Sequence, residues 1–109
     1  MDDDVVQVLT TMDGRDAAMA LAERLVEGRT AACVQVIGPI RSVYRWRGAL
    51  ERADEWLCVA KTTRRRYGDL ERSIREGHPY DVPEITAVPV VTGSADYLAW
   101  VAEETATTG

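Results

Sequence analysis

Tyr44-Arg45-Trp46-Arg47-Gly48 sits in the middle of the stretch, residues 32–63, whose reading decides the fold. Ile40, Ser42, Tyr44 and Trp46 alternate with Arg41, Val43, Arg45 and Arg47, the period of two that marks a half-buried strand. Gly48 accepts the positive φ of a tight hairpin loop. The chain returns through Leu50, Ala53, Trp56, Leu57, Cys58, Val59 and Ala60, so a long β-hairpin is predicted with its tip at residues 44–48. A single strand from Cys33 to Trp46 would span roughly 45 Å, at about 3.3 Å per residue. A compact chain of this size has a radius of gyration of about 13 Å and a diameter near ~35 Å. The hairpin must break or overshoot its own domain, and an overshooting open edge invites a second chain. Self-association through the hairpin is the first expectation.

Working outward, Val5 to Leu9 is an apolar run read as a buried strand. Asp13 stands as the N-cap of a helix, with Asp16 in its first turn. Ala18, Leu21, Ala22 and Leu25 form its inward stripe, and Gly28 fits a left-handed stop. Gly38-Pro39 interrupts the first arm of the hairpin; proline donates nothing to a ladder, so this arm is an edge strand, bulged or bent there. A second helix is predicted from Arg64 to Glu76, with Tyr67, Leu70 and Ile74 on one stripe and Gly77 as its stop. Residues 78–84, His-Pro-Tyr-Asp-Val-Pro-Glu, cannot be helical. Ile85 to Val91 is the last strand, and Pro89 again argues for an edge. Ser94 caps a short final helix whose inward stripe is Tyr97, Trp100 and Val101.

The pattern strand, helix, Glu-Gly, strand occurs twice, around Val26-Glu27-Gly28 and Arg75-Glu76-Gly77. Two βαβ halves in tandem predict an α+β fold. It is a ferredoxin-like βαβ-βαβ sandwich with an antiparallel sheet, a long hairpin between the second and third strands, and a C-terminal helix. In that topology the second and fourth strands lie at the edges, and these are the strands that carry Pro39 and Pro89. One domain is expected over residues 1–109, loose at 1–4 and 105–109.

The 109 residues carry 13 Lys+Arg against 18 Asp+Glu, a net charge of −5, which disfavours nucleic acid as a partner. No apolar run is long enough for a membrane span, and the N-terminus lacks signal-peptide character; a cytoplasmic protein is expected. Cys33 and Cys58 show no C-x-x-C spacing and are read as buried free thiols. No Walker loop, G-x-S-x-G or G-x-G-x-x-G occurs, and nothing demands catalysis.

His78 is the only histidine. It reads either as a metal ligand or general base flanked by Asp81 and Glu84, or as a loop histidine that bonds a backbone carbonyl and ends the helix. Arg64-Arg65-Arg66 opens the second helix, where the dipole disfavours cations. Either an anionic ligand beside Lys61 compensates them, or they fan into water. Tyr44, Trp46 and Trp100 read as interface anchors.

Several motifs together resemble the CutA family of divalent-cation tolerance proteins. They are Ala31-Ala32-Cys33-Val34, Ser42-Val43-Tyr44-Arg45-Trp46-Arg47-Gly48, Glu55, Lys61-Thr62, the run from His78 to Ile85, and Tyr97-Leu98-Ala99-Trp100. Gln35 departs from it, standing where Asn is usual. The resemblance implies a homotrimer joined through the long hairpin, with an architecture similar to PII-type signal proteins. It also implies a link to tolerance of divalent metals, copper above all, and no enzymatic activity. No cofactor is obligatory; copper or another divalent metal would bind weakly between subunits, with His78, Cys33 and Glu84 as candidate ligands. The alternative is a PII-like sensor whose clefts take an anion near Lys61, Arg64 and Arg65.

Overall fold

The computed structural model describes residues 3–107. Its elements run β1 (Val5–Met12), α1 (Arg15–Glu27), β2 (Cys33–Trp46) and β3 (Ala49–Thr63). A 3-10 turn (Arg64–Arg66) then leads into α2 (Tyr67–Glu76), followed by β4 (Thr86–Pro89) and α3 (Ala95–Glu104). The sheet order is β2-β3-β1-β4 with every neighbouring pair antiparallel. This is the arrangement expected of two βαβ halves, and the proline-bearing strands β2 and β4 are the two edges.

Period-two alternation in the strands and the helical stripes meet in one core. Val6, Val8 and Met12 of β1 and Cys58 and Ala60 of β3 face Ala18, Leu21 and Leu25 of α1 and Leu70 and Ile74 of α2. Burying each of the larger aliphatic side chains contributes about 1.5–3 kcal/mol. Val5, on the opposite face of β1, packs with Ala32 and with Val101 of α3. That helix therefore docks away from the other two.

The hairpin does overshoot. The molecule measures 44 × 25 × 21 Å with a radius of gyration of 14.4 Å, above the ~13 Å of a compact chain of this length. From Cys33↔Lys61 to Ile37↔Leu57 the arms pair in one register; it shifts, then resumes from Ile40↔Glu55 to Trp46↔Ala49. Gly38 and Pro39 together oppose Trp56 across that shift, which is a bulge. A Cβ on Gly38 would lie 2.3 Å from Trp56 Cδ1, so glycine is what lets the indole lie against the backbone. Arg47 (φ 50°) and Gly48 (φ 83°) make the two-residue turn at the tip, the double positive φ of a type I′ hairpin.

Local details differ from expectation for identifiable reasons. The α1 N-cap is Gly14, not Asp13, and no side chain caps it. Gly28 stays right-handed at φ −78°, and Arg29 takes the left-handed turn at φ 61°. Arg66 does not fan into water: it is buried, bonded to Asp69 and donating to the Arg29 carbonyl at 3.3 Å. On α3 the inward row is Leu98, Val101 and Thr105, while Tyr97 and Trp100 stand exposed. The loose segments expected at 1–4 and 105–109 are tied at their inner ends. Arg65 pairs with Asp3 at 3.3 Å, Arg64 N–H donates to Asp4 O, and the buried Thr105 hydroxyl donates to Val101 O at 2.8 Å. Positions 1, 2, 108 and 109 lie outside the described residues.

Candidate functional site

The sheet face opposite α1 and α2 continues outward along the hairpin through Ser42, Tyr44, Trp46, Ala53 and Glu55. Where the loop between α2 and β4 crosses in front of that face, it leaves an open cavity of about 780 Å³. Two prolines keep this loop extended. His78 anchors it: Tyr80 N–H donates to Nδ1 at 3.2 Å, so Nε2 carries the ring hydrogen and donates to Thr11 O at 2.8 Å. The anchoring sets Tyr80, tilted against the imidazole with centroids 4.8 Å apart, over the cavity. Its hydroxyl donates to Glu55 Oε2 at 2.8 Å. Burial, reinforced by the neighbouring Glu55 carboxylate, raises the Tyr80 phenol above its ordinary range, so it remains a donor.

Glu55 is only 7% exposed. Tyr44 and Trp46 line the hairpin side of the cavity, and Asp13, Asp81 and Glu84 contribute further carboxylates. At the mouth, the Arg47 guanidinium lies 5.2 Å from the Trp46 ring centroid and 3.6 Å from Asp81. The Tyr80–Glu55 pair belongs to no ligand motif and is not among the site residues expected from the sequence. Its one local signal is a charged residue in the row Ala53, Glu55, Leu57, all on one face of the strand.

The three candidate metal ligands are placed separately. His78 commits both ring nitrogens within the chain, which is the behaviour of a structural loop histidine. Glu84 lines the cavity. Cys33 is half-buried at the root of β2, paired with Lys61 and next to Tyr97. The Tyr97 phenol is raised by burial and then by the Cys33 sulfur. Among the described residues no group of three His, Cys, Asp or Glu side chains could hold a metal ion, so one chain does not by itself fit copper. Cys58 is the buried thiol expected; burial pushes it up to about 11. The candidate anion residues are engaged too: Lys61 Nζ donates to Gln35 Oε1 and Arg65 pairs with Asp3. A second cavity of about 260 Å³ is lined by Arg65 but by neither Lys61 nor Arg64. Tyr44, Trp46 and Trp100, expected at an interface, are all exposed on the single chain.

An α+β chain with this strand order, an overlong hairpin and a histidine-anchored loop defines the class to compare. The family model described as CutA1 divalent ion tolerance protein matches residues 6–104. The chain is 40% identical over 98 residues to the divalent-cation tolerance protein CutA of Thermus thermophilus, covering 90% of this chain and 95% of that one. It is 36% identical to the chloroplastic protein CutA of Arabidopsis thaliana, of which it spans 55%. The solved Thermus thermophilus structure superposes with a TM-score of 0.91 at 38% identity, covering 94% of this chain and 99% of that one. The chain belongs to the CutA1 divalent ion tolerance family. No helix among the described residues is long and apolar enough to cross a membrane.

Proposed function

We propose that this chain serves divalent-cation tolerance in the cytoplasm as a homotrimer, holding copper or another divalent metal weakly at sites shared between subunits, without enzymatic turnover. The observation that carries this reading is the outer half of the hairpin. Val43, Tyr44, Trp46 and Leu50 stand exposed there on the single chain. Large aromatic and aliphatic side chains exposed on both faces of a protruding ribbon mark an association surface.

We place the metal site between subunits because, among the described residues, no three His, Cys, Asp or Glu side chains of one chain could hold an ion. With His78 committed to Thr11 and Tyr80, the soft donor each subunit still offers is Cys33, with carboxylates such as Glu84 as hard partners. Native mass spectrometry of the protein as purified reports subunit number and retained metal together. Three copies are expected; a monomer would remove the reading. Copper titration should weaken in Cys33→Ser and stay close to wild type in His78→Ala, and an unchanged Cys33→Ser isotherm would remove the ligand assignment.

A further inference from the structure

Beyond the bulge the hairpin is a two-stranded ribbon whose two faces carry opposite charge. The register sets Arg41, Val43 and Arg45 directly across from Asp54, Arg52 and Leu50, and side chains paired in this way stand on one face. Arg41 is neutralised by Asp54 at 2.9 Å. Arg45 and Arg52 are exposed and have no carboxylate partner among the described residues. As diagonal neighbours on the ladder, about 7–8 Å apart, they repel one another. Val43 and Leu50 lie beside them, both more than half exposed.

The other face holds Tyr44, Trp46, Glu51 and Glu55 and floors the cleft under the 78–84 loop. Among the described residues, the charged side chains lining that cleft are Asp13, Glu55, Asp81 and Glu84. Asp81 has only its exposed 3.6 Å contact with Arg47, while Asp13 and Glu84 have no ion pair among the described residues. The Arg47 guanidinium, 5.2 Å from the Trp46 ring centroid, already sets a cation on an aromatic of this face.

The two faces are complementary in charge, and each mixes apolar with charged side chains, yet they look in opposite directions from one ribbon. One chain therefore cannot bring them together, and a second copy can. Opposite potentials meeting across an interface fix its register and suppress other orientations. Contact between two like faces would instead set Arg45 and Arg52 against their own counterparts. A contact between two different patches is heterologous, so it passes from copy to copy until a ring closes.

We propose that the copies join head to tail: the Arg45–Arg52 face of one ribbon seats over the acidic cleft of the next copy, with Val43 and Leu50 against its Tyr44 and Trp46. This rests on the self-association proposed above and adds which surface meets which.

The test is a light-scattering dilution series on the full chain and on charge-reversed variants. Arg45→Glu/Arg52→Glu, and separately Asp13→Lys/Glu84→Lys, should each raise the dissociation constant at least about tenfold, because like charges then face one another. Carried together in one chain, the four substitutions restore opposite charges and should return most of the affinity, a coupling that independent sites do not show. Arg15→Glu/Arg72→Glu, which makes the same change in net charge on the two helices, should assemble like wild type. A monomeric wild type would remove the self-association and this contact together. A wild-type oligomer unaffected by either reversal, or losses that add in the combined chain instead of cancelling, would overturn the head-to-tail contact and leave the self-association standing. Where a reversal unfolds the chain, as read by far-ultraviolet circular dichroism, Arg45→Gln/Arg52→Gln takes its place. Association weaker by about threefold or more is then expected, and wild-type affinity would overturn the contact.

Discussion

The two halves of the long hairpin carry the same alternation but have different surroundings. From Cys33 to Ile37 and from Leu57 to Thr63, one row of side chains enters the core under α1 and α2. Beyond the bulge at Gly38-Pro39, from Ile40 to Trp46 and from Ala49 to Glu55, the same alternation continues with little of the chain against it. Val43 is 60% and Leu50 54% exposed. Alternation thus states that a strand has two faces; it does not state what covers either one. The rooted half is explained by its own chain. Around Glu55 the free half is covered by the 78–84 loop; the rest of it is what the proposed self-association would cover.

If this division is right, substitutions in the two halves should separate folding from assembly. Leu70 of α2 is fully buried over the rooted half. Leu70→Ala should cost about 2–5 kcal/mol of folding stability, read as a shift in urea midpoint with little change in slope. Trp46→Ala should leave the far-ultraviolet spectrum intact and weaken self-association by about 2 kcal/mol, roughly thirtyfold in dissociation constant, in a light-scattering dilution series. Should Trp46→Ala lower the unfolding midpoint as far as Leu70→Ala while the assembly persists, the free half would be a folding element and the division would be lost.

Most of the framework was legible because it rests on period and punctuation. Pro39 and Pro89 marked the edges, Ala18-Leu21-Ala22-Leu25 marked the α1 face, and Gly48 marked the turn. What escaped depends on interactions between segments distant in the chain. The expected α3 stripe of Tyr97, Trp100 and Val101 holds at Val101, but the rest of the inward row is Leu98 and Thr105, with Tyr97 and Trp100 exposed. The small Thr105 fits there because its hydroxyl bonds the preceding turn. Arg66 looked solvent-bound until the Arg29 carbonyl came within reach, 37 residues away in sequence. In the candidate site His78 was readable in both of its roles, and geometry selected the structural one. The Tyr80–Glu55 bond links residues 25 apart, and no local rule announces it.

The smallest expected effect probes the tip, where the free half is made. Arg47 holds a left-handed conformation at φ 50°, which costs a non-glycine residue roughly 1–2 kcal/mol. Asn relieves part of this, since Asn-Gly is a preferred pair for the type I′ turn. The substitution removes an exposed 3.6 Å ion pair with Asp81 and a cation over Trp46, and both are worth little in water. Arg47→Asn should therefore stabilise the turn by about 0.5–1 kcal/mol. Where that gain appears is the informative part. If the free half opens on its own in the isolated chain, amide exchange should slow around Tyr44 and Glu51, which pair across the hairpin, while the global melting temperature stays put. If both halves unfold together, the melting temperature rises and exchange slows in the rooted half as well. The first result would make the bulge at Gly38 a boundary between two units of stability, and the second would make it only a bend in one.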